Sequence, residues 1–410
     1  MIHFKKHTLS NGLKVIIHED ASSPMVAVNI VYDVGSRDED EHKTGFAHLF
    51  EHLMFGGSKN APDFDSPIQN AGGENNAFTN TDMTNFYAVV PAQNIETVLW
   101  LESDRMKNLI FSQKALDIQK SVVIEEFKET CLTDPYGDVW HHLSELVYKQ
   151  HSYKWPTIGK EMSHIENAKL DDVKDFFYKH YTPSNAILIL SGNISHDKGI
   201  ELVRKWFEDI EPGKQYARSI SQEPPQEEFR EKTVKGNAPL PALYLTFRMV
   251  DRMHEDYHSY DLLSDVLSNG RSSRLFQRLH KEKQLFTQID AYISGTFDPG
   301  ILVIEGRPAQ GVSMEEAERA IWHELDLLKQ KPIEDKELQK LKNKIESSLV
   351  YSEVNILHKA MSLAYFELLG DAEMINKESE AYQKVTKNDI QRFANETFIK
   401  TNCCKLIYQA

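Results

Sequence analysis

The sequence predicts an α+β chain, an α/β sandwich built twice in tandem, and three observations carry that expectation. The first is length: a single hydrophobic core stops growing near about 250–300 residues, so 410 residues divide into two domains. The second is the interleaving of short β-like runs with amphipathic helical stretches along the whole chain. The third is a duplication signal. Tyr181-Thr182-Pro183-Ser184-Asn185 leads into AILIL, and Phe398-Ile399-Lys400-Thr401-Asn402 leads into CCKLIY, each at the end of a half. The expected division is residues 1–214, a polar linker 215–239 containing Pro224-Pro225, and residues 240–410.

Taken in order, Asn11-Gly12 reads as a hairpin turn between His7–Leu9 and Leu13–His18. Met25–Val34 reads as a central strand, and Gly35–Lys43 as a charged loop. A helix from Thr44, its expected N-cap, stops at Gly56-Gly57. Residues 70–91 read as a two-strand segment with an exposed edge able to accept an extended peptide. Helices are expected at Ala92–Ile110, Gln113–Thr130, Val139–Tyr148 and Leu170–Tyr181, then a buried strand at Ala186–Ser191 and a helix at Ile200–Phe207. In the second half, strands at Ala242–Met249, Gln288–Ser294, Gly300–Glu305 and Cys403–Tyr408 alternate with helices.

The composition excludes several classes. The net charge is −15, with no Lys/Arg cluster to offset it, which argues against nucleic acid and anionic membrane as partners. Three cysteines without a C-x-x-C imply neither a disulfide framework nor a cysteine metal site, and adjacent Cys403 and Cys404 in a strand would point to opposite faces. No apolar run reaches the roughly 18 residues of a membrane span. The N-terminus lacks a signal-peptide h-region, so a cytoplasmic location is expected, or a periplasmic one if a signal was removed.

The chemistry concentrates in TGFAHLFEHLMFGG, residues 44–57. His48 and His52 stand one helical turn apart on one face, with Glu51 beside them, in the order H-x-x-E-H. That is the inverzincin pattern, in which two imidazoles hold Zn²⁺ and a carboxylate handles the proton of the attacking water. Chance produces such a pattern in His-rich chains too. Its place on an amphipathic helix after a strand and before Gly-Gly separates it from chance.

Together with Asn11-Gly12-Leu13, Gly72-Gly73…Asn76-Ala77-Phe78-Thr79, Val122–Glu126 and Gly270–Leu275, this helix makes the chain resemble the pitrilysin/insulinase-type metalloproteases. The likeness is to the short-chain kind similar to mitochondrial processing peptidase, over nearly the full length. The resemblance implies two homologous domains, each a largely antiparallel sheet packed with helices. It implies one Zn²⁺ per chain held by His48, His52 and a glutamate on a separate helix, here Glu126, with Glu125 or Glu129 as the alternatives. It implies Glu51 as general base and substrate lying along Asn76, Ala77, Phe78 and Thr79. Phe55, Phe78 and Tyr87 match positions of a side-chain pocket. Glu129 would support the metal, as would Gln119, where many relatives have a glutamate.

The resemblance also implies what is missing. Active relatives place an Arg, and a Tyr seven residues on, across a four-domain chamber; here those positions hold His280 and Thr287. The expected partner is therefore a homologous, zinc-free subunit carrying the Arg/Tyr pair, with a homodimer as runner-up. The alternative function is that of a non-proteolytic core subunit of a larger complex, as some family members are. Loss of H-x-x-E-H or of the distal glutamate would mark that alternative, and both are present.

Overall fold

The computed structural model describes residues 1–214 and 216–410, so the first residue of the expected linker lies outside the described residues. The described chain forms two compact units, each drawn from three segments.

The first unit comprises Met1–Phe127, Trp155–Ser221 and Val350–Asn376. Its strands are β1 (Lys5–Thr8), β2 (Lys14–Glu19), β3 (Met25–Tyr32), β4 (Glu74–Thr79), β5 (Thr84–Pro91) and β6 (Ala186–Gly192). They pair in the order β1-β2-β6-β3-β5-β4, with β2 and β6 parallel and every other pair antiparallel. Strand β3, MVAVNIVY, shows why its sequence is almost wholly apolar: both faces are covered. Val26, Val28, Ile30 and Tyr32 enter the larger core, with Leu49 and Phe50 from the H-x-x-E-H helix. Ala27 and Val31 meet Ala360, Leu363 and Ala364 from a helix at Ile356–Leu368. Lys359 on that helix also pairs with Asp20 after β2. Leu363→Ala would leave a cavity costing about 2–5 kcal/mol.

The second unit comprises Lys128–Lys154, Gln222–Leu349 and Lys377–Ala410. Its strands are β7 (Arg230–Lys235), β8 (Ala242–Arg248), β9 (Phe286–Ile293), β10 (Ile301–Pro308) and β11 (Cys403–Gln409), in the order β7-β11-β8-β10-β9. Only β7 and β11 are parallel among these pairs. Cys403 and Cys404 do face opposite cores. One face packs the helices at Tyr257–Ser268 and Met314–Gln330. The other face packs Val139, Leu143, Leu146 and Val147 from the helix at Val139–Val147.

Three local features go beyond the sequence reading. Strand β7 lies inside the stretch read as linker; its alternating exposure fits an edge strand with one wet face. The helix carrying Glu126 ends as an α-helix at Phe127 and continues as a π-turn over Lys128–Thr133. The charged loop is not solvated: Ser36, Arg37, Asp38 and Glu39 are buried, with Arg37 paired to Asp82. No helix among the described residues is long and apolar enough to cross a membrane.

Candidate metal centre

All geometry of the centre lies in the first unit. Helix α1 (Phe46–Met54) buries Phe46, Ala47, Leu49, Phe50, Leu53 and Met54, which leaves His48, Glu51 and His52 on its other face. Helix α2 (Gln113–Phe127), begun by the Ser112 hydroxyl accepting from the Ala115 N–H, packs against α1 and presents Glu126 near its end. His48 Nε2 lies 3.3 Å from His52 Nε2, and Glu126 approaches the two at 3.6 and 3.4 Å. In a tetrahedron with bonds of about 2.0–2.1 Å, ligand atoms stand roughly 3.3–3.4 Å apart, so this donor set has the spacing a zinc ion requires. It is the only such His/Cys/Asp/Glu group among the described residues, and neither Glu125 nor Glu129 belongs to it.

The electrostatics suit a cation. Burial holds the His48 imidazole below its ordinary value, against the pull of Glu126, which keeps it neutral and able to ligate. The hydrogen bond to His52 holds the Glu126 carboxyl below its ordinary value, against partial burial. Burial pushes the Glu51 carboxyl up, while the Thr79 hydroxyl, donating to its Oε2 at 2.6 Å, draws it back down.

The other singled-out residues divide by the two-residue period of the sheet. Ala77 and Thr79 are on the face that α1 covers, as is Phe55, whose ring meets Phe64 and Phe86 with the buried Arg105 guanidinium nearby. Asn76, Phe78 and Tyr87 are on the opposite face, since Asn76 pairs Tyr87 and Phe78 pairs Asn85. The structure therefore does not bring Phe55 together with Phe78 and Tyr87. Strand β4 is the sheet edge, and the Ala77 N–H donates to Asn76 Oδ1 at 2.8 Å rather than to β5. Gln119 is half-buried without a hydrogen-bond partner among the described residues. Glu129 is exposed on the π-turn. In the second unit, His280 Nδ1 pairs with the Phe286 carbonyl at 3.0 Å, and the Thr287 hydroxyl donates to the Arg307 carbonyl at 3.1 Å.

Sequence reasoning missed Glu39. Thr44 is not the N-cap of α1. Its hydroxyl accepts from the Lys160 N–H and pairs with His164 Nδ1, while Gly45 occupies the N-cap. Glu39 Oε2 accepts from the Gly45 N–H at 2.9 Å and Oε1 from the Ala47 N–H at 2.8 Å. A glutamate in a charged loop gives no local signal of such a role.

Comparison with known proteins agrees with this geometry. Residues 14–161 match the description Insulinase (Peptidase family M16), and residues 167–345 match Peptidase M16 inactive domain. The chain is 29% identical to the zinc protease PqqE of Helicobacter pylori over 400 residues, covering 96% of this chain and 90% of that protein. It is also 29% identical to the uncharacterized zinc protease YmxG of Bacillus subtilis, over 85% of this chain and 84% of that one. The crystal structure of a protease from Helicobacter pylori superposes with a TM-score of 0.94 at 27% identity, covering all of both chains. The two-domain α+β fold and the matched segments place the chain in peptidase family M16.

Proposed function

We propose that the chain is the zinc-bearing subunit of a peptidase that hydrolyses extended peptides. The observation that carries the reading is the convergence of His48, His52 and Glu126 at tetrahedral spacing, with Glu51 directly before His52 on α1. His48, His52 and Glu126 hold one Zn²⁺, and the relatives' names as zinc proteases agree. A zinc ion there supplies Lewis acidity, polarising a carbonyl and making a water molecule easier to deprotonate. Glu51 takes the proton of the attacking water and passes it to the departing amine. Thr79 fixes the carboxylate for both transfers through its hydroxyl. The peptide adds as a further strand on β4, where displacing Asn76 Oδ1 frees the Ala77 N–H.

A homologous subunit completes the site. His280 and Thr287 are both spent on backbone carbonyls of their own sheet, so this chain has little there to hold a substrate carbonyl. The test is elemental analysis and peptide cleavage with the chain alone and with a homologous zinc-free subunit. Glu51→Gln is expected to keep one zinc per chain and lose about 10²–10⁴-fold in turnover. Normal cleavage by Glu51→Gln defeats the mechanism, and full activity of the chain alone defeats the paired subunit.

A further inference from the structure

A nine-residue helix carries two metal-ligating positions in its first two turns, yet α1 lacks the residue that ordinarily fixes a helix start. Helices this short are not stable by themselves, so caps and packing set their position. The N-cap side chain of Ser, Thr, Asp or Asn normally accepts from the N–H groups of the first turn. Here that solution is closed. Gly45 has φ +86, and a Cβ on it would stand 2.8 Å from the Ile158 carbonyl oxygen.

Glu39 supplies the missing acceptor from outside the helix. Its two oxygens take the Gly45 and Ala47 N–H groups, the second directly before His48. It is 7% exposed, and no Lys or Arg pairs with it among the described residues, so the two backbone N–H groups are what hold the buried carboxyl. Metal-ligating histidines usually have their second ring nitrogen held by an acceptor. His48 Nδ1 instead is buried with no hydrogen-bond partner among the described residues, so its ring is aimed by the placement of the helix itself.

We propose that Glu39 is a positioning residue for the metal centre: its carboxyl group replaces the N-cap of α1 and fixes where His48 and His52 point. This rests on the zinc-peptidase reading. It assigns no contact between Glu39 and substrate or metal.

The experiment measures zinc affinity by chelator competition on the full chain, together with the melting temperature of the zinc-free protein and kcat and KM with the completed peptidase. Glu39→Gln puts an amide NH₂ where a backbone N–H needs an acceptor, and is expected to weaken zinc about 10–100-fold. kcat should fall while KM changes less than twofold. Glu39→Asp, too short to reach both N–H groups, serves if Glu39→Gln does not fold and is expected to weaken zinc in the same direction. Ile68→Ala, a core truncation in the same unit, is the control; it lowers the melting temperature and leaves zinc affinity unchanged. Wild-type zinc affinity in a folded Glu39 variant overturns the proposal while leaving the peptidase reading standing. Equal loss of zinc in Ile68→Ala overturns it as well, because stability alone would then explain the effect. A wild-type chain that binds no zinc overturns both.

Discussion

The two sheets repeat one design, and the helix that follows the matching strand in each has taken a different course. Strands β2-β6-β3-β5-β4 and β7-β11-β8-β10-β9 run in the same order, with the single parallel pair of each at the same place. After β3 comes α1; after β8 comes the helix at Tyr257–Ser268. His48, Glu51 and His52 on the first are answered in spacing by His258, Asp261 and Leu262 on the second. The imidazole is present twice, but the second is consumed internally. His258 Nε2 faces Glu378 at 3.3 Å, Glu378 also takes Arg252 at 2.6 Å, and Tyr382 donates to Asp261 at 2.5 Å. A histidine and a carboxylate on a helix are therefore not enough. What makes α1 a candidate centre is a second imidazole and a carboxylate from another helix.

The sharpest way to break this contrast is His52→Leu, which gives α1 the pattern of its counterpart. Zinc should vanish on elemental analysis and peptide cleavage should fall by more than about 10³-fold, since metal and Glu51 act as a unit. Full zinc in this variant would show that the second imidazole is not what separates the two helices. The next effect concerns the other helix. Glu378→Ala leaves Arg252 and His258 buried without their carboxylate and should cost about 3–5 kcal/mol in urea unfolding. Zinc content should stay at one per chain; losing it would mean the two units do not divide the labour.

The smallest effect is one of pH. Burial holds His180, in the first unit, down to about 3, with neither ring nitrogen hydrogen-bonded among the described residues. Between pH 6.5 and 3 the unfolded chain binds a proton there that the folded chain does not, so this unit loses stability as pH falls. The slope from one such group is at most about 1.4 kcal/mol per pH unit. Asp265, in the second unit, behaves oppositely: burial pushes it up to about 6, so folding gains from acidification between pH 6 and 3.8. Amide exchange at pH 7.5 and 4.5 should show protection falling more in the first unit. His180→Leu should flatten that difference.

Much of the candidate site was legible because its signals are local. His48, Glu51 and His52 sit within one helix, whereas Glu126, on a separate helix, was singled out only through the family resemblance. Strands β3, β5, β6, β8 and β11 were legible as apolar runs between turn residues. What was illegible depends on distant chain. An Arg-Asp-Glu stretch reads as solvated until the Asp82 partner and the N–H groups of α1 are known to close over it. The face-splitting of Phe55 from Phe78 and Tyr87 follows from strand register, which no single window contains. The helices at Val139–Val147 and Ile356–Leu368 are equally recognisable as amphipathic, but nothing in them says which sheet they cover.

Those two helices give the chain an unusual dependence on the order of its synthesis. When residues 1–221 have left the ribosome, all six strands of the first sheet exist, but Ile16, Ala27, Val31, Ile187 and Ile189 still lack Ala360, Leu363 and Ala364. At the roughly 5–20 residues per second of translation, that sheet face waits many seconds for its cover. The second sheet has the reverse history: the helix at Val139–Val147 emerges long before any strand it will cover, and β11 closes its sheet last. A nascent chain halted between the two halves is thus a ready client for chaperones that hold apolar β-surface, and one released past residue 376 has that face of the first sheet covered.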